Sequence, residues 1–500
     1  MSVVDVAAVR GAVPLSSPDR LYIGGEWVTP STGATIDVVD SATTETFLRV
    51  GEAVEADVDR AVTAARAAFD HGPWPRMSHA ERAGYLRAMA EGLRARVSDA
   101  SRIWPRESGV VQRHSLGLLG KVPGIYDLYA DLAETFPFTE PATPTAGGEY
   151  GLLVREPVGV VGAIVPWNVP MSLASWKVAP ALLAGCTVVL KASPEAPGTA
   201  YLLAEVAESV GLPAGVLNVL TADRGPSEAL VRDPRVDKIA FTGSTAAGRR
   251  IASLCGERVA RVTLELGGKS AAVVLDDYDV DSAAAALTGA GCFLSGQVCS
   301  SLSRVVVSRR RHDELVEALA ARYAAVQVGD PFDPATQMGP LAIERQQTTV
   351  LDYIAQGKAA GARLATGGGK PAHLDRGWYV EPTVFGGVDN SSVIAQEEIF
   401  GPVLTVIPAD GEDDAVAIAN DSPYGLNASV FTDDLDKAYA VSRRLHSGTV
   451  GHNAYRTDFG IAFGGFKQSG IGREGGVEGL RAYLETKTVI LDGVPDPAPH

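Results

Sequence analysis

Cysteine is scarce in this chain: four in 500 residues, Cys186, Cys255, Cys292 and Cys299, with no Cys-x-x-Cys pair. So few thiols exclude a disulfide scaffold, and no histidine cluster stands at ligand spacing, so no metal site is expected. Positive charge is also short. Lys plus Arg number 44 against 60 Asp plus Glu, a net charge of −16, which argues against a nucleic-acid or anionic-membrane binder. Long apolar runs are missing too: a stretch such as Val158–Pro166 is about half a membrane span. Met1–Ser17 carries Asp5 and lacks a basic start followed by an apolar run, so no signal peptide is expected. These absences leave a soluble cytoplasmic protein with no membrane or nucleic-acid partner.

What is present is ordinary globular composition, 46% hydrophobic and 21% charged, in a chain long enough for about three domains or two large ones. Asp57–Asp70 places Val58, Val62, Ala65 and Phe69 on one helical face, and His79–Val97 continues in the same style. Between Phe136 and Val154 the composition turns to Pro, Thr and Gly, reading as an arm outside the helical region. Val160–Val165, Thr187–Lys191, Val216–Leu220 and Asp237–Phe241 then read as buried strands. Helices are expected between them near Ser172–Leu183, Thr199–Val210 and Pro226–Arg232. Such alternation implies a parallel sheet. A second α/β unit is expected from near Gly268, with Ala271–Leu275, a helix over Val280–Leu294, Arg304–Ser308 and a helix ending at Val326. The one low-complexity stretch is the Pro-rich tail Pro495–His500.

Several segments carry chemistry. Ser295-Gly-Gln-Val-Cys299-Ser-Ser places a cysteine in a polar turn after an apolar helix, where a thiolate is reachable and can be stabilised; the alternative is a small buried hydrophobe. Val262-Thr-Leu-Glu265-Leu-Gly-Gly-Lys269 buries a carboxylate in an apolar strand, as a general base or as one half of an ion pair with Lys269 or a distant Arg. Phe241-Thr-Gly243-Ser244-Thr-Ala-Ala-Gly248 joins a strand to a helix and suits a phosphate, or is a tight capped turn. Asn168, in Pro166-Trp167-Asn168-Val-Pro170, is placed to donate to an oxyanion or to form a turn. Lys191 ends a strand where a ribose or phosphate would lie. Glu397-Glu398-Ile-Phe400-Gly-Pro402 and Ala462-Phe-Gly-Gly-Phe-Lys467 are aromatic, glycine-bearing loops.

In this order the motifs resemble the aldehyde dehydrogenase superfamily, and the likeness runs from about Leu21 to Val489. The resemblance implies Cys299 as nucleophile, Glu265 as the water-activating base and Asn168 as the oxyanion-holding amide. Pro166, Trp167, Lys191, Gly243, Ser244, Gly248, Gln346, Glu398 and Phe400 are implied along NAD, or NADP. Lys177 and Glu474 match proton-relay positions, and Val298 and Ser300 flank the neck of the substrate tunnel. The implied fold is α/β: a Rossmann-like NAD(P)-binding domain (1–135 and 155–266), an α/β catalytic domain (267–470) and a small β oligomerisation arm (136–154 and 471–500). Within the arm, Tyr483–Leu491 is the expected strand partner. A homodimer or homotetramer follows from arm edges that must pair. The implied reaction oxidises an aldehyde to a carboxylic acid through a cysteine thiohemiacetal and thioester, without metal. Glu265 favours hydrolysis over a CoA-acylating reaction, and the intact Cys299, Glu265 and Asn168 argue against a non-catalytic binding protein.

Three positions depart from the family's pattern. Glu195 stands one residue later than the ribose-binding glutamate of many NAD-preferring members, Thr349 replaces a cofactor-helix lysine, and Ala462 replaces a common proline. Arg456, near Asp458, is available to a polar substrate or to that aspartate. The segments expected to line the tunnel, Met171–Trp176, Phe293–Ser295 and Tyr455–Phe463, are mostly apolar and favour an aliphatic or aromatic aldehyde.

Overall fold

A computed structural model describes residues 11–495. The start of the Met1–Ser17 segment and all but Pro495 of the Pro-rich tail lie outside the described residues.

Five strands, Val160–Ile164, Thr187–Ala192, Leu217–Thr221, Lys238–Thr242 and Arg261–Glu265, form the parallel centre of an eight-stranded sheet. The first four are buried from end to end, which is why they read as continuous apolar runs. Val160–Ile164 lies in the middle, with the next two strands on one side and the last two on the other. The winding direction therefore reverses between Ile164 and Thr242, and a crevice opens beyond the carboxyl ends of those two strands. The loops that leave them are Pro166-Trp167-Asn168 and Gly243-Ser244. An N-terminal hairpin, Leu21–Ile23 with Glu26–Val28, closes one edge. Gly470–Ile471 closes the other, antiparallel to Arg261–Glu265.

A second sheet of seven strands is centred on Ala271–Val274, Arg304–Ser308 and Val403–Ala409. It is parallel except for Arg363–Thr366 at its edge. The arm is a separate antiparallel sheet in which Leu484–Leu491 pairs along the whole length of Tyr150–Pro157, and Thr139–Ala142 pairs with the other side. Its middle strand runs on to Pro157, beyond Val154. The arm's third segment, instead of beginning at residue 471, is preceded by the edge strand Gly470–Ile471 and the short helix Gly476–Arg481.

Helix ends follow local chemistry. Pro170 opens the helix Pro170–Ala184, and Gly185, at φ 98°, ends it in the left-handed conformation. The expected helix His79–Val97 breaks at Arg96, and a new helix runs Val97–Ser108. The helix from Val280 stops at Cys292, short of Leu294. Leu294 and Ser295 take φ 50° and 57°, so the chain turns out of helical geometry before Cys299.

Candidate active site

Asn168 is buried at the switch point. Its backbone carbonyl accepts from Trp104 Nε1 (2.9 Å), and the neighbouring Trp167 carbonyl accepts from Ser108 Oγ (2.6 Å). Both donors come from the helix Val97–Ser108, which thereby fixes the loop. Asn168 Nδ2 donates to the Gln297 carbonyl at 2.9 Å, and Oδ1 has no partner among the described residues. The second Nδ2 hydrogen remains available to an oxyanion.

The segment carrying Cys299 is held from several sides. Ser295 Oγ donates to the Gly339 carbonyl (2.9 Å), Gln297 Nε2 donates to the Ser108 and Leu294 carbonyls (3.2 Å each), and Ala342 N–H donates to Gln297 Oε1 (2.9 Å). Gln297 thus links the Cys299 segment to the same helix that steadies Asn168. Cys299 is half-buried, whereas Cys186, Cys255 and Cys292 are buried core residues. Burial first, then the negative charges of Glu398 and Glu265, pushes the Cys299 thiol up to about 12, against the pull of its own and the Ser300 backbone N–H.

Glu265 ends its strand with both carboxylate oxygens unpartnered among the described residues. Burial, reinforced by Glu474, holds it well above the usual carboxylate range, against Lys177 and Arg473. The alternative ion pair with Lys269 is not formed, since the buried Lys269 Nζ also has no hydrogen-bond partner there. Lys177 instead donates to Glu474 Oε1 (2.5 Å) and Thr242 Oγ1 (2.6 Å).

The Gly-Gly pair after Glu265 has a steric reason. A Cβ on Gly267 would lie 2.1 Å from Glu398 Oε2, and one on Gly268 would lie 2.4 Å from the Cys299 carbonyl oxygen. Gly268 N–H donates to Glu398 Oε1 at 3.2 Å. The Glu265 strand, the Cys299 backbone and Glu398 meet here because two side chains are missing. Burial raises Glu398 to about 7, opposed by the Gly268 N–H and Lys269. Phe400, at φ 57°, stands edge-on to Trp167 with ring centroids 5.3 Å apart. Gln346 Nε2 donates to the Ile399 and Phe400 carbonyls (2.9 Å each), so its amide positions that loop.

The Gly243–Gly248 turn is tight and capped, and its glycines have steric reasons within the protein. A Cβ on Gly243 would meet the Phe241 ring at 2.4 Å, and one on Gly248 would meet Leu266 at the same distance. Ser244 Oγ accepts from Ala247 N–H and caps the helix Thr245–Glu257. Thr245 Oγ1 is buried and unpartnered among the described residues. Lys191 is buried, not solvated. Burial lowers its pKa to about 8 while Glu195 and Asp223 pull the other way. Glu195 also accepts from Ser193 Oγ and from Arg345 Nη2, the latter at 3.3 Å. An ammonium, a carboxylate and an unpartnered hydroxyl at a helix start suit the phosphates and ribose hydroxyls of a dinucleotide.

Trp176 stacks on Phe459 (5.1 Å) and Phe459 on Phe463 (4.0 Å), an aromatic series following the expected tunnel segments. Ser300 Oγ and Tyr455 Oη lie 2.7 Å apart beside Cys299. Arg456 and Asp458 do not pair: Asp458 Oδ1 accepts from Gly460 N–H at 2.7 Å. Sequence reasoning missed Trp104, Ser108 and the structural role of Gln297. Their work is done by contacts between distant segments, and no local pattern marks it.

Comparisons with known proteins all point to one family. The profile described as Aldehyde dehydrogenase family matches residues 27–489. Geranial dehydrogenase of Castellaniella defragrans is 44% identical over 475 residues, covering 95% of this chain and 99% of that protein. The structure of a Mycobacterium tuberculosis aldehyde dehydrogenase complexed with NAD+ is 46% identical, with a TM-score of 0.91 over 95% of this chain and 98% of that one. A cysteine-to-alanine mutant of aldehyde dehydrogenase C from Pseudomonas syringae, complexed with NAD+ and octanal, is 38% identical. Its TM-score is 0.93 over 97% of this chain and 99% of its own.

Proposed function

Because the chain belongs to the aldehyde dehydrogenase family and oxidises an aldehyde to a carboxylic acid with NAD, we propose that Cys299, Glu265 and Asn168 carry that reaction. The carrying observation is the meeting of Glu265, Glu398 and the Cys299 backbone at Gly267-Gly268, beside an Asn168 amide tied to the nucleophile segment. The Cys299 thiol gives up its proton to a base, and Glu265 is the unpartnered carboxylate whose charge it feels. Sγ attacks the aldehyde carbon, while Asn168 Nδ2 and the Cys299 N–H hold the oxyanion of the thiohemiacetal. NAD, when bound, supplies the hydride acceptor. Loss of hydride from the same carbon leaves a thioester on Sγ. Glu265, having passed the thiol's proton on to solvent, then takes a proton from water, whose oxygen attacks the thioester; the acid leaves and Sγ regains a proton. Release to CoA needs no such base, so the buried Glu265 favours water.

Lys191 and the helix start at Ser244 and Thr245 are proposed to hold the adenosine ribose and phosphates. Glu398 and Phe400 are proposed to hold the nicotinamide ribose and ring, with Gln346, Pro166 and Trp167 shaping the cleft. Glu195, beside Lys191, favours a free ribose hydroxyl over a 2′-phosphate, hence NAD over NADP. The apolar aromatic series favours an aliphatic or aromatic aldehyde, in keeping with the names of the geranial and octanal relatives. A reducing cytoplasm suits four free cysteines. The arm edges suit a homodimer or homotetramer.

The test is reduced-nicotinamide absorbance with octanal and NAD. Cys299→Ala is expected to lose more than about 10³-fold in rate while NAD still binds by calorimetry. Full turnover by Cys299→Ala would refute the assignment.

A further inference from the structure

We propose that a cavity beside Phe293 binds a carboxylate carrying a hydrocarbon tail, the chemical class that the reaction releases, at a place separate from the aldehyde tunnel. The cavity measures about 420 Å³, within the range of small-ligand pockets, about 300–1,000 Å³. Neither Cys299 nor the aromatic series Trp176, Phe459 and Phe463 lines it.

One face of the helix Val280–Cys292 makes the room. Ala285, Thr288, Gly289 and Cys292 recur at three- and four-residue spacing, which puts them on one side of a helix, and all four line the cavity. Their side chains are small, and a Cβ on Gly289 would meet nothing within 4 Å. Phe293 and Val326 add the larger apolar surface. Phe293 leads directly into the left-handed Leu294 and Ser295, so an occupant rests against the residue that opens the turn toward Cys299.

The polar lining is rich in donors. Arg113, His114, Arg322 and Gln337 border the same space, and no carboxylate lines it among the described residues, in a chain whose net charge is −16. Arg113 Nη1 donates to the Thr336 and Pro334 carbonyls (2.6 and 3.3 Å), while its Nε and Nη2 have no partner among the described residues. Arg322 reaches Asp281 only at 3.9 Å, and that carboxylate is exposed. Gln337 Oε1 accepts from the Gln327 N–H (2.9 Å), which leaves its Nε2 hydrogens to a ligand. The His114 ring lies 5.4 Å from that of Phe293, and burial, then the Arg113 charge, holds its pKa below the usual range. Two guanidinium groups with uncommitted donors match a carboxylate, and the apolar lining matches a hydrocarbon tail. A bare inorganic anion leaves the apolar surface wet, and an alcohol leaves the guanidinium charges unanswered.

The experiment uses the whole enzyme without cofactor, so that octanal fills the tunnel and is not oxidised. Octanoate is titrated by calorimetry into enzyme saturated with octanal. One octanoate per chain is expected to bind, with sulfate and octanol each at least about ten-fold weaker. Arg322→Gln removes a charge at an exposed position, and Gly289→Phe fills open space. Each is expected to weaken octanoate at least about ten-fold, while kcat and KM for octanal with NAD stay at wild-type values. Binding that vanishes once octanal is present, or that either variant leaves unchanged, overturns the proposal, as does sulfate or octanol binding as tightly as octanoate.

Discussion

Gly267 is set by a neighbour from another part of the chain. With 2.1 Å between its missing Cβ and Glu398 Oε2, Gly267→Ala must displace that carboxylate. Calorimetry is expected to show NAD binding weakened about ten-fold, while the rate of Cys299 alkylation without cofactor is unchanged. Glu265→Gln keeps the volume and removes the base. Rapid mixing is expected to show one burst of reduced nicotinamide and then a steady rate lower by at least about 10²-fold. At this scale much of the site was legible. A carboxylate inside an apolar strand and a cysteine in a polar turn are costly enough to stand out in a sequence. Gly243 and Gly248 also leave room within the protein, for the Phe241 ring and the Leu266 side chain.

Among elements, the buried parallel strands matched their apolar runs to within about a residue, since burial on both faces leaves little freedom of composition. The segment Phe293–Gly296 escaped. Leu294 and Ser295 adopt left-handed backbone at φ 50° and 57° although neither is glycine, a strained state that only surrounding contacts maintain. Gln297 supplies several of those contacts through its side-chain amide. Gln297→Ala leaves the Ala342 N–H and two buried carbonyls without their partner. It is expected to cost about 2–3 kcal/mol in urea unfolding and to slow turnover.

For the whole molecule, the division into two α/β sheets and an arm was read correctly in outline because strands, helices and the Pro/Thr/Gly segment change composition where the chain changes sheet. The return of Gly470–Ile471 to the first sheet was not, since two residues carry no periodic signal. The outer edge of Leu484–Leu491 is unpaired among the described residues, and exposed strand edges seek partners. Light scattering on the purified chain is expected to give a mass of two or four times 52.2 kDa; a monomer at micromolar concentration would remove the arm's proposed role.

The strand that ends in Glu265 has a bearing on when the protein becomes an enzyme during its own synthesis. Its outer edge is covered by Gly470–Ile471, and Leu266 N–H donates to the Ser469 carbonyl at 2.9 Å. A nascent chain that has already made the Gly243–Ser244 turn, the nucleophile segment and nearly all of the second sheet still leaves this edge bare. The Glu265 strand gains this cover only after residue 471 has been made, later than the segment that carries Cys299, so the two proposed halves of the reaction are completed in that order during synthesis.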